Sequence, residues 1–224
     1  MKNDIQIQQD VQQELKWEPF LNAAEIGVAV KNGVVTLSGI VDSYAKKTTA
    51  EKAAKRVAGV KALAEDILLS VSPREEKSDA EIAAAALTAL KWNSAVRDEK
   101  VKIKVENGNV KLDGEVEWEY QRKDAKLAIE NLEGVKSVLN LITLKPKIDP
   151  INIQNKINNA FHRSATLDSK KITVDVIGST ITLRGTVRSL AEKDDAEIVA
   201  WNAPGVLNVK SELLVEEPAY AFED

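Results

Sequence analysis

The sequence contains no cysteine among its 224 residues, and it has only one histidine, His162. Because cysteine is absent, the chain can form neither a disulfide framework nor a thiolate metal site. A lone histidine without cysteine partners argues against a zinc site. The sequence also lacks a Ser–His–Asp order, a phosphate-binding glycine loop and a dinucleotide fingerprint. We therefore expect a protein that is not an enzyme and that carries no cofactor and no metal.

An excess of basic residues is missing too, since the formal net charge is −4. This balance argues against a dedicated nucleic-acid binder. No apolar run approaches the length of a transmembrane helix, and residues 1–10 lack the apolar segment and the cleavage site of a signal peptide. We therefore expect a cytoplasmic location, or a periplasmic one if a signal peptide has been removed.

The sequence does contain a pattern that is repeated three times: a turn dipeptide, apolar residues alternating with polar ones, and a glycine. The three copies are Lys31–Gly39, Glu106–Gly114 and Ile177–Gly185. Their final glycines are 75 and 71 residues apart, which are domain-sized intervals rather than solenoid periods. Each copy predicts a β-hairpin. The Asn-Gly dipeptides of the first two copies favour a type I′ turn, whereas Gly178-Ser179 predicts a turn of another type.

The same elements surround each hairpin. Upstream, apolar residues at i, i+4 and i+8 predict an amphipathic helix: Ile7, Val11 and Leu15, then Ile82, Ala86 and Leu90, then Ile153, Ile157 and Phe161. An alternating strand leads into the hairpin. A second helix, rich in alanine, begins near Ser43, Trp118 and Ser189 and ends at Gly59, Gly134 and Gly205, and a third strand follows it.

These elements predict an α+β fold of three tandem α-β-β-α-β modules. A right-handed crossover places the third strand parallel to the second, which gives a three-stranded mixed sheet with two helices on one face. The modules are expected at residues 1–72, 77–145 and 149–216, with proline-containing linkers at 72–77 and 145–148 and an acidic tail at 217–224. Ser78 and Glu81 predict a capping box, and Asp149 with Pro150 predicts the start of the third module's first helix.

The repeated motif resembles the BON domain family of bacterial osmotic-stress and nodulation proteins. The closest match lies in Val110–Val116, Gly134-Val135 and Val138–Ile142, and the segments Val35–Val41 and Ile181–Val187 match nearly as well. The resemblance implies a role in osmotic stress, in phospholipid binding, in the envelope or in a chaperone-like activity. It implies no active site, because the consensus residues of the family are structural.

Lysines of the second copy form the first candidate contact surface. Lys100, Lys102 and Lys104 alternate with apolar residues, so they are predicted on the outer face of the sheet together with Lys111. A basic patch of this kind can meet anionic lipid headgroups. The alternative is an ordinary solvated strand, flanked by Glu106 and Asp113.

Tryptophans form the second candidate contact. Trp17 and Trp92 share one repeat position, two residues past the last buried leucine of the first helix, and so point away from the core. They either anchor at a membrane interface or protein contact, or pack against the loop into the first strand. Trp201 and His162 are also expected on the surface, since charged residues hold their positions in the other copies.

The outer face of the first module is the third candidate, because it is almost without charge. It carries Gly27, Ala29, Thr36, Ser38, Ala62 and Ala64, and the second copy adds Leu139 and Leu141 on its third strand. Such faces predict packing against a neighbouring module or a partner subunit. The sequence thus predicts a stress-associated binding or scaffold protein, with an anionic phospholipid surface as its ligand. The alternatives are a protein-interaction module or holdase, and a sensor of small ions or solutes.

Overall fold

The computed structural model describes residues 2–70, 77–96, 100–145, 152–164 and 166–216, and it contains three α-β-β-α-β modules. The first comprises α1 (Asp4–Lys16), a 3₁₀ turn (Ala23–Glu25), β1 (Ile26–Lys31), β2 (Val34–Val41), α2 (Tyr44–Arg56) and β3 (Ala62–Leu69). The second comprises α3 (Asp79–Trp92), β4 (Val101–Glu106), β5 (Asn109–Val116), α4 (Glu119–Glu130), β6 (Ser137–Asn140) and β7 (Thr143–Leu144). The third comprises α5 (Ile153–Arg163), β8 (Ile172–Ile177), β9 (Thr180–Val187), α6 (Leu190–Trp201) and β10 (Asn208–Val215). The predicted α+β class is confirmed.

Each module has a mixed sheet with the second strand at its centre. The hairpin strands pair antiparallel, whereas β6 runs parallel to β5 and β10 runs parallel to β9. In the first module, the Lys61 N–H donates to the Gly33 carbonyl and the Ser70 N–H donates to the Val41 carbonyl, both at 2.9 Å. The later residue of β3 therefore pairs with the later residue of β2, which makes the two strands parallel.

The third strand of the second module departs from the prediction, because it breaks into β6 and β7. Asn140 ends β6: its Oδ1 accepts the N–H of Ile142 at 3.2 Å, and its Nδ2 donates to the Arg122 carbonyl of α4 at 2.7 Å. The two halves still pair with the same central strand. At the break the Gly114 N–H donates to Asp113 Oδ1 at 2.8 Å and the Gly114 carbonyl accepts from Thr143 Oγ1 at 3.1 Å, so side-chain hydrogen bonds replace part of the ladder there.

Both helices of a module pack on one face of its sheet, as predicted. In the third module, Ile157 and Phe161 of α5 and Ala196 of α6 belong to one buried cluster with Ile181 and Leu183 of β9. The second module repeats this arrangement with Leu90, Ala125 and Leu112. The small alanines let the second helix approach the sheet closely, and the opposite sheet face is left to solvent.

Two helix starts are capping boxes, and one start differs from the prediction. Ser78 and Glu81 form the predicted box at α3, and Asn3 and Gln6 form an equivalent box at α1 that the sequence analysis missed. The first helix of the third module begins at Ile153 after Asn152, whose side chain makes no capping hydrogen bond. The predicted cap at Asp149-Pro150 is therefore not the start of this helix, and these residues lie outside the described ones, as do the tail 217–224 and most of both linkers.

The glycines of the repeat take positive φ angles, which explains their recurrence. The Asn-Gly turns have both central residues at positive φ, as a type I′ turn requires, whereas at Gly178-Ser179 only the glycine does. Gly59, Gly134 and Gly205 also have positive φ, as expected just past a helix end.

The chain divides into two units, one with the first and third modules and one with the second module and Val41–Lys47. In the first unit, Lys55 of α2 forms ion pairs with Glu51 at 3.0 Å and with Asp194 of α6 at 3.3 Å. Burial lowers the pKa of Lys55, but these carboxylates outweigh burial and the pKa is raised. In the second unit, Tyr44 packs against the core of the second module.

Candidate functional site

Trp17 and Trp92 lie at the C-terminal ends of α1 and α3, and each is 83% exposed. Both come two residues after a leucine that is almost fully buried, Leu15 at 1% and Leu90 at 0%. The suggestion that they pack against the following loop is therefore wrong. A lysine directly precedes each tryptophan, and both lysines are exposed. The first and second modules thus each present an indole ring beside a positive charge.

The expectation for Trp201 is wrong, because this side chain is partly buried against the third core. Its aromatic ring fills a place that Lys55 and Glu130 hold in the other copies. His162 is exposed as predicted, and its Nδ1 lies 2.9 Å from the Ser169 hydroxyl. Within the described part of the chain, no group of three or more potential metal-ligating side chains is present.

Lys102, Lys104 and Lys111 share the outer face of the second sheet, where the register places Lys104 directly opposite Lys111. Negative charges accompany them. Lys104 pairs with Glu106 at 2.8 Å, and Lys102 lies opposite Asp113. Because the two signs alternate, the field of this face is weaker than the four lysines alone suggest.

Lys100 lies just before β4, at the end of the sheet, and forms an ion pair with Glu117 at 3.2 Å. Trp92 belongs to α3, which packs on the opposite face of the sheet from Lys102, Lys104 and Lys111. The structure therefore brings three of the lysines together but separates them from the tryptophan.

The outer face of the first module contains two exposed apolar residues beyond the predicted small ones. Ile40 on β2 is 54% exposed and Leu68 on β3 is 65% exposed. The hydrogen bonds that flank them place these two side chains opposite each other on parallel strands. At the equivalent positions, the second module has Glu115 opposite Thr143 and the third module has Thr186 opposite Leu214, so only the first module has two apolar residues there. Comparing the copies position by position would have revealed this feature in the sequence.

Most of the described groups whose pKa values shift belong to ion pairs. In the third module, burial raises the pKa of Glu192, but hydrogen bonds from the Arg188 guanidinium and from the N–H groups of Arg188 and Asp168 reverse this effect and lower it. The pKa of Lys171 is raised by its hydrogen bond with Glu216. These hydrogen bonds and ion pairs stabilise the third module.

Comparison with known proteins agrees with the division of the chain into three repeated modules. The BON domain model matches residues 3–69, 78–146 and 152–217. The osmotically-inducible protein Y of Escherichia coli (strain K12) is 31% identical over 131 residues, which span 56% of this chain and 64% of that protein. The match thus spans less than two thirds of the relative's length.

Among solved structures, two of CdsD, a structural protein of the type III secretion system of Chlamydia trachomatis, were found. One covers 93% of this chain and 91% of its own at 12% identity, and the other, its C-terminal domain, covers 96% and 100% at 13%. Both have a TM-score of 0.26, too low to support any conclusion about this chain. Every helix in the described part of the chain is too short or too polar to cross a bilayer.

Proposed function

The chain belongs to the BON domain family, and on that premise we propose that it is a stress-associated, non-catalytic protein that attaches to anionic phospholipid surfaces. The name of its relative, an osmotically inducible protein, supports the association with stress. The observation that carries the lipid proposal is the exposure of Trp17 and Trp92, 83% each, at equivalent positions of two modules.

Tryptophan suits the boundary between lipid and water because its ring is apolar and its indole N–H is polar. Partial insertion that removes roughly 100 Å² of ring surface from water contributes about 2.5 kcal/mol. One such contact gives weak binding. Two contacts within one chain, if both can reach the same surface, reinforce each other through effective concentration.

Electrostatic attraction plays the smaller part in this proposal. Lys16 and Lys91 lie beside the tryptophans and can approach anionic headgroups. The lysines of the second outer sheet face are interspersed with carboxylates, and the whole chain carries a formal net charge of −4. Binding is therefore expected to weaken only modestly when the salt concentration rises.

Vesicle flotation tests the proposal, with the full chain and vesicles of phosphatidylcholine with or without phosphatidylglycerol. Trp17→Ala with Trp92→Ala should abolish co-flotation with the anionic vesicles. The matched control is Ile177→Ala, because Ile177 is 82% exposed but lies at the hairpin of the third module. Replacing Lys102, Lys104 and Lys111 by Ser should have a smaller effect. Unchanged flotation of the double tryptophan variant would contradict the proposal.

A second candidate function, a holdase or protein-interaction module, is favoured by the exposed Ile40 and Leu68 on the outer face of the first module. Unfolded clients expose apolar segments, and these two apolar side chains can bind them. The test is suppression of light scattering by heat-denatured citrate synthase. Ile40→Ser with Leu68→Ser should remove suppression, whereas the double tryptophan variant should retain it.

A further inference from the structure

In the first and third modules, a glutamine of the first helix closes the open edge of the first strand. Gln8 Nε2 donates to the Val28 carbonyl at 2.7 Å, and Gln154 Nε2 donates to the Val174 carbonyl at 2.7 Å. The repeat spacing places Ala83 at the equivalent position of the second module. A methyl group cannot donate a hydrogen bond, so Ala83 cannot make the equivalent contact with the Ile103 carbonyl.

The missing glutamine also leaves apolar side chains uncovered. Val28 and Val174 are only 8% and 4% exposed, whereas Ile103 is merely partly buried. Leu87, one helical turn after Ala83 and on the same side of α3, is 55% exposed. Gln12 and Asn158 hold its position in the other copies. We call Ala83, Leu87, Ile103 and the partly buried Val105 the α3–β4 groove.

The backbone of β4 is oriented for pairing at this groove. Strand β4 lies at an edge of its sheet, and its two-residue turn makes Glu106 and Asn109 a hydrogen-bonded pair. Bonded pairs alternate along the ladder, so Lys104 and Lys102 bond to β5 as well. The N–H and C=O groups of Val101, Ile103 and Val105 therefore point to the open edge, where an extended segment can add as a further strand.

Charge on β4 defines which segment fits. Side chains of an added strand would stand directly opposite Lys102 and Lys104 on the outer face, and those between them would enter the apolar groove. The ion pair between Lys104 and Glu106 is exposed and therefore weak, so it can exchange. A second copy of β4 would instead place lysines against lysines, which is unfavourable.

We propose that the second module binds an extended segment of a partner protein, alternating acidic and apolar residues, by strand addition to β4 along the α3–β4 groove. This proposal does not depend on lipid binding. The two sites use different residues, because Trp17 and Trp92 take no part in the groove. The first and third modules have the same fold but close this edge with their own glutamines.

The test uses the full chain and a fluorescein-labelled peptide, Gly-Glu-Val-Glu-Val-Glu-Val-Glu-Gly, with its lysine counterpart as control. Fluorescence anisotropy measures the affinity, and amide hydrogen exchange locates the contact. Binding of the acidic peptide should slow exchange at Ile103 and Val105. The lysine peptide should not bind, and the double tryptophan variant should bind the acidic peptide as the unmodified chain does.

Ala83→Gln is the decisive variant, because it introduces into α3 the glutamine that closes the strand edge at Gln8 and Gln154. Glutamine is a good helix former, so α3 should remain intact. The affinity for the acidic peptide should fall about tenfold or more. The new glutamine would fill the α3–β4 groove and occupy the Ile103 carbonyl, so the peptide would lose apolar contacts and one backbone hydrogen bond. An unchanged thermal unfolding curve shows that the variant is folded. Gln8→Ala, which opens the edge beside Gly27 and Ala29 instead of lysines, should create no second site for the acidic peptide.

Lys102→Ser with Lys104→Ser should weaken binding between about twofold and thirtyfold, and less at high salt. Equal binding by Ala83→Gln, equal binding of the lysine peptide, or no binding of the acidic peptide at all would overturn the proposal. Sedimentation of the chain alone provides the last check. A dimer that Ala83→Gln dissociates would show that a second copy occupies the edge, and would also overturn it.

Discussion

The carboxylate of Asp79 accepts the N–H groups of Asn107 and Gly108, each at 2.8 Å, and so joins the first turn of α3 to the tip of a hairpin 28 to 29 residues further along the chain. Asp4 makes the same two contacts with Asn32 and Gly33 in the first module, at 2.7 and 3.0 Å. A type I′ turn leaves its central N–H groups without partners in the ladder. One acidic side chain at the helix start satisfies both of them and also suits the positive end of the helix dipole.

We expect Asp79→Ala to destabilise the second module by about 1–3 kcal/mol, the range for hydrogen bonds to a charged group. Native-state hydrogen exchange of the β5 amides measures this opening free energy within the full chain. Glu115→Ala is the control, since the ion pair of Glu115 with Lys145 at 3.4 Å is exposed and should contribute less than about 1 kcal/mol. Equal effects of the two substitutions would mean that Asp79 does not hold the turn.

The periodicity of the sequence was sufficient to predict the modules, because buried residues recur every fourth position in Ile7, Val11 and Leu15 and every second position in the strands. Competition between local bonds was harder to foresee. Around the break, Asp113, Asn140 and Thr143 each make a side-chain hydrogen bond to the backbone, and which backbone group each one finds depends on side-chain conformation. For that reason the break between β6 and β7 was missed.

For the candidate sites too, the sequence predicted some features and missed others. The sequence predicted which side of the sheet Lys102, Lys104 and Lys111 occupy, because alternation determines it. It did not reveal the ion pair between Lys104 and Glu106, which depends on side-chain conformation. The aligned copies show that Ala83 stands where the first module has Gln8. They do not show that the Gln8 side chain donates a hydrogen bond to the Val28 carbonyl, which is what makes the difference important.

Gly185 should be the least replaceable glycine of the third module. Its φ is +124°, and a Cβ there would lie 1.9 Å from the Lys171 carbonyl oxygen, so neither conformation nor space admits a side chain. We expect Gly185→Ala to destabilise the module by several kcal/mol, as severe backbone clashes do. Gly178→Ala is the comparison, since nothing lies within 4 Å there.

At Gly178 only the positive φ of +59° opposes a side chain, which corresponds to about 1–2 kcal/mol. Circular dichroism during urea unfolding, with hydrogen exchange at β9, ranks the two variants. If Gly178→Ala proves as damaging as Gly185→Ala, the clash with Lys171 is not the reason for the glycine.

The exposure of Trp17 and Trp92 can be tested without any ligand. The chain has four tryptophans, and the other two, Trp118 and Trp201, are partly buried. Replacing Trp17 and Trp92 by Phe should remove the red-shifted part of the emission and leave a fluorescence that acrylamide quenches less. The reciprocal variant, with Trp118 and Trp201 replaced, should show the opposite change. Equal quenching of both variants would contradict the exposed positions of Trp17 and Trp92.

Glu192 should make the stability of the third module depend on acid pH. Its side chain is 5% exposed and accepts hydrogen bonds from the Arg188 N–H at 2.7 Å and from the Asp168 N–H at 3.1 Å. Burial alone would raise the pKa of Glu192, but these donors and the Arg188 guanidinium lower it below its ordinary value of 4.5. A lowered folded-state pKa gives stability that is present in full above the unfolded-state pKa and is lost as the pH falls through the folded-state pKa.

Glu192→Gln keeps the shape of the side chain but removes the charge and turns an amide N–H₂ group toward a donor. We expect the variant to be about 1–3 kcal/mol less stable at pH 7. The difference between the two proteins should stay constant from pH 7 to about pH 5 and shrink below pH 4.5, because the unfolded-state glutamate becomes protonated there and the native glutamate follows only at its lower pKa. Hydrogen exchange at β9 across this range measures the difference. A gap that stays constant down to pH 3 would show that Glu192 acts through its shape alone.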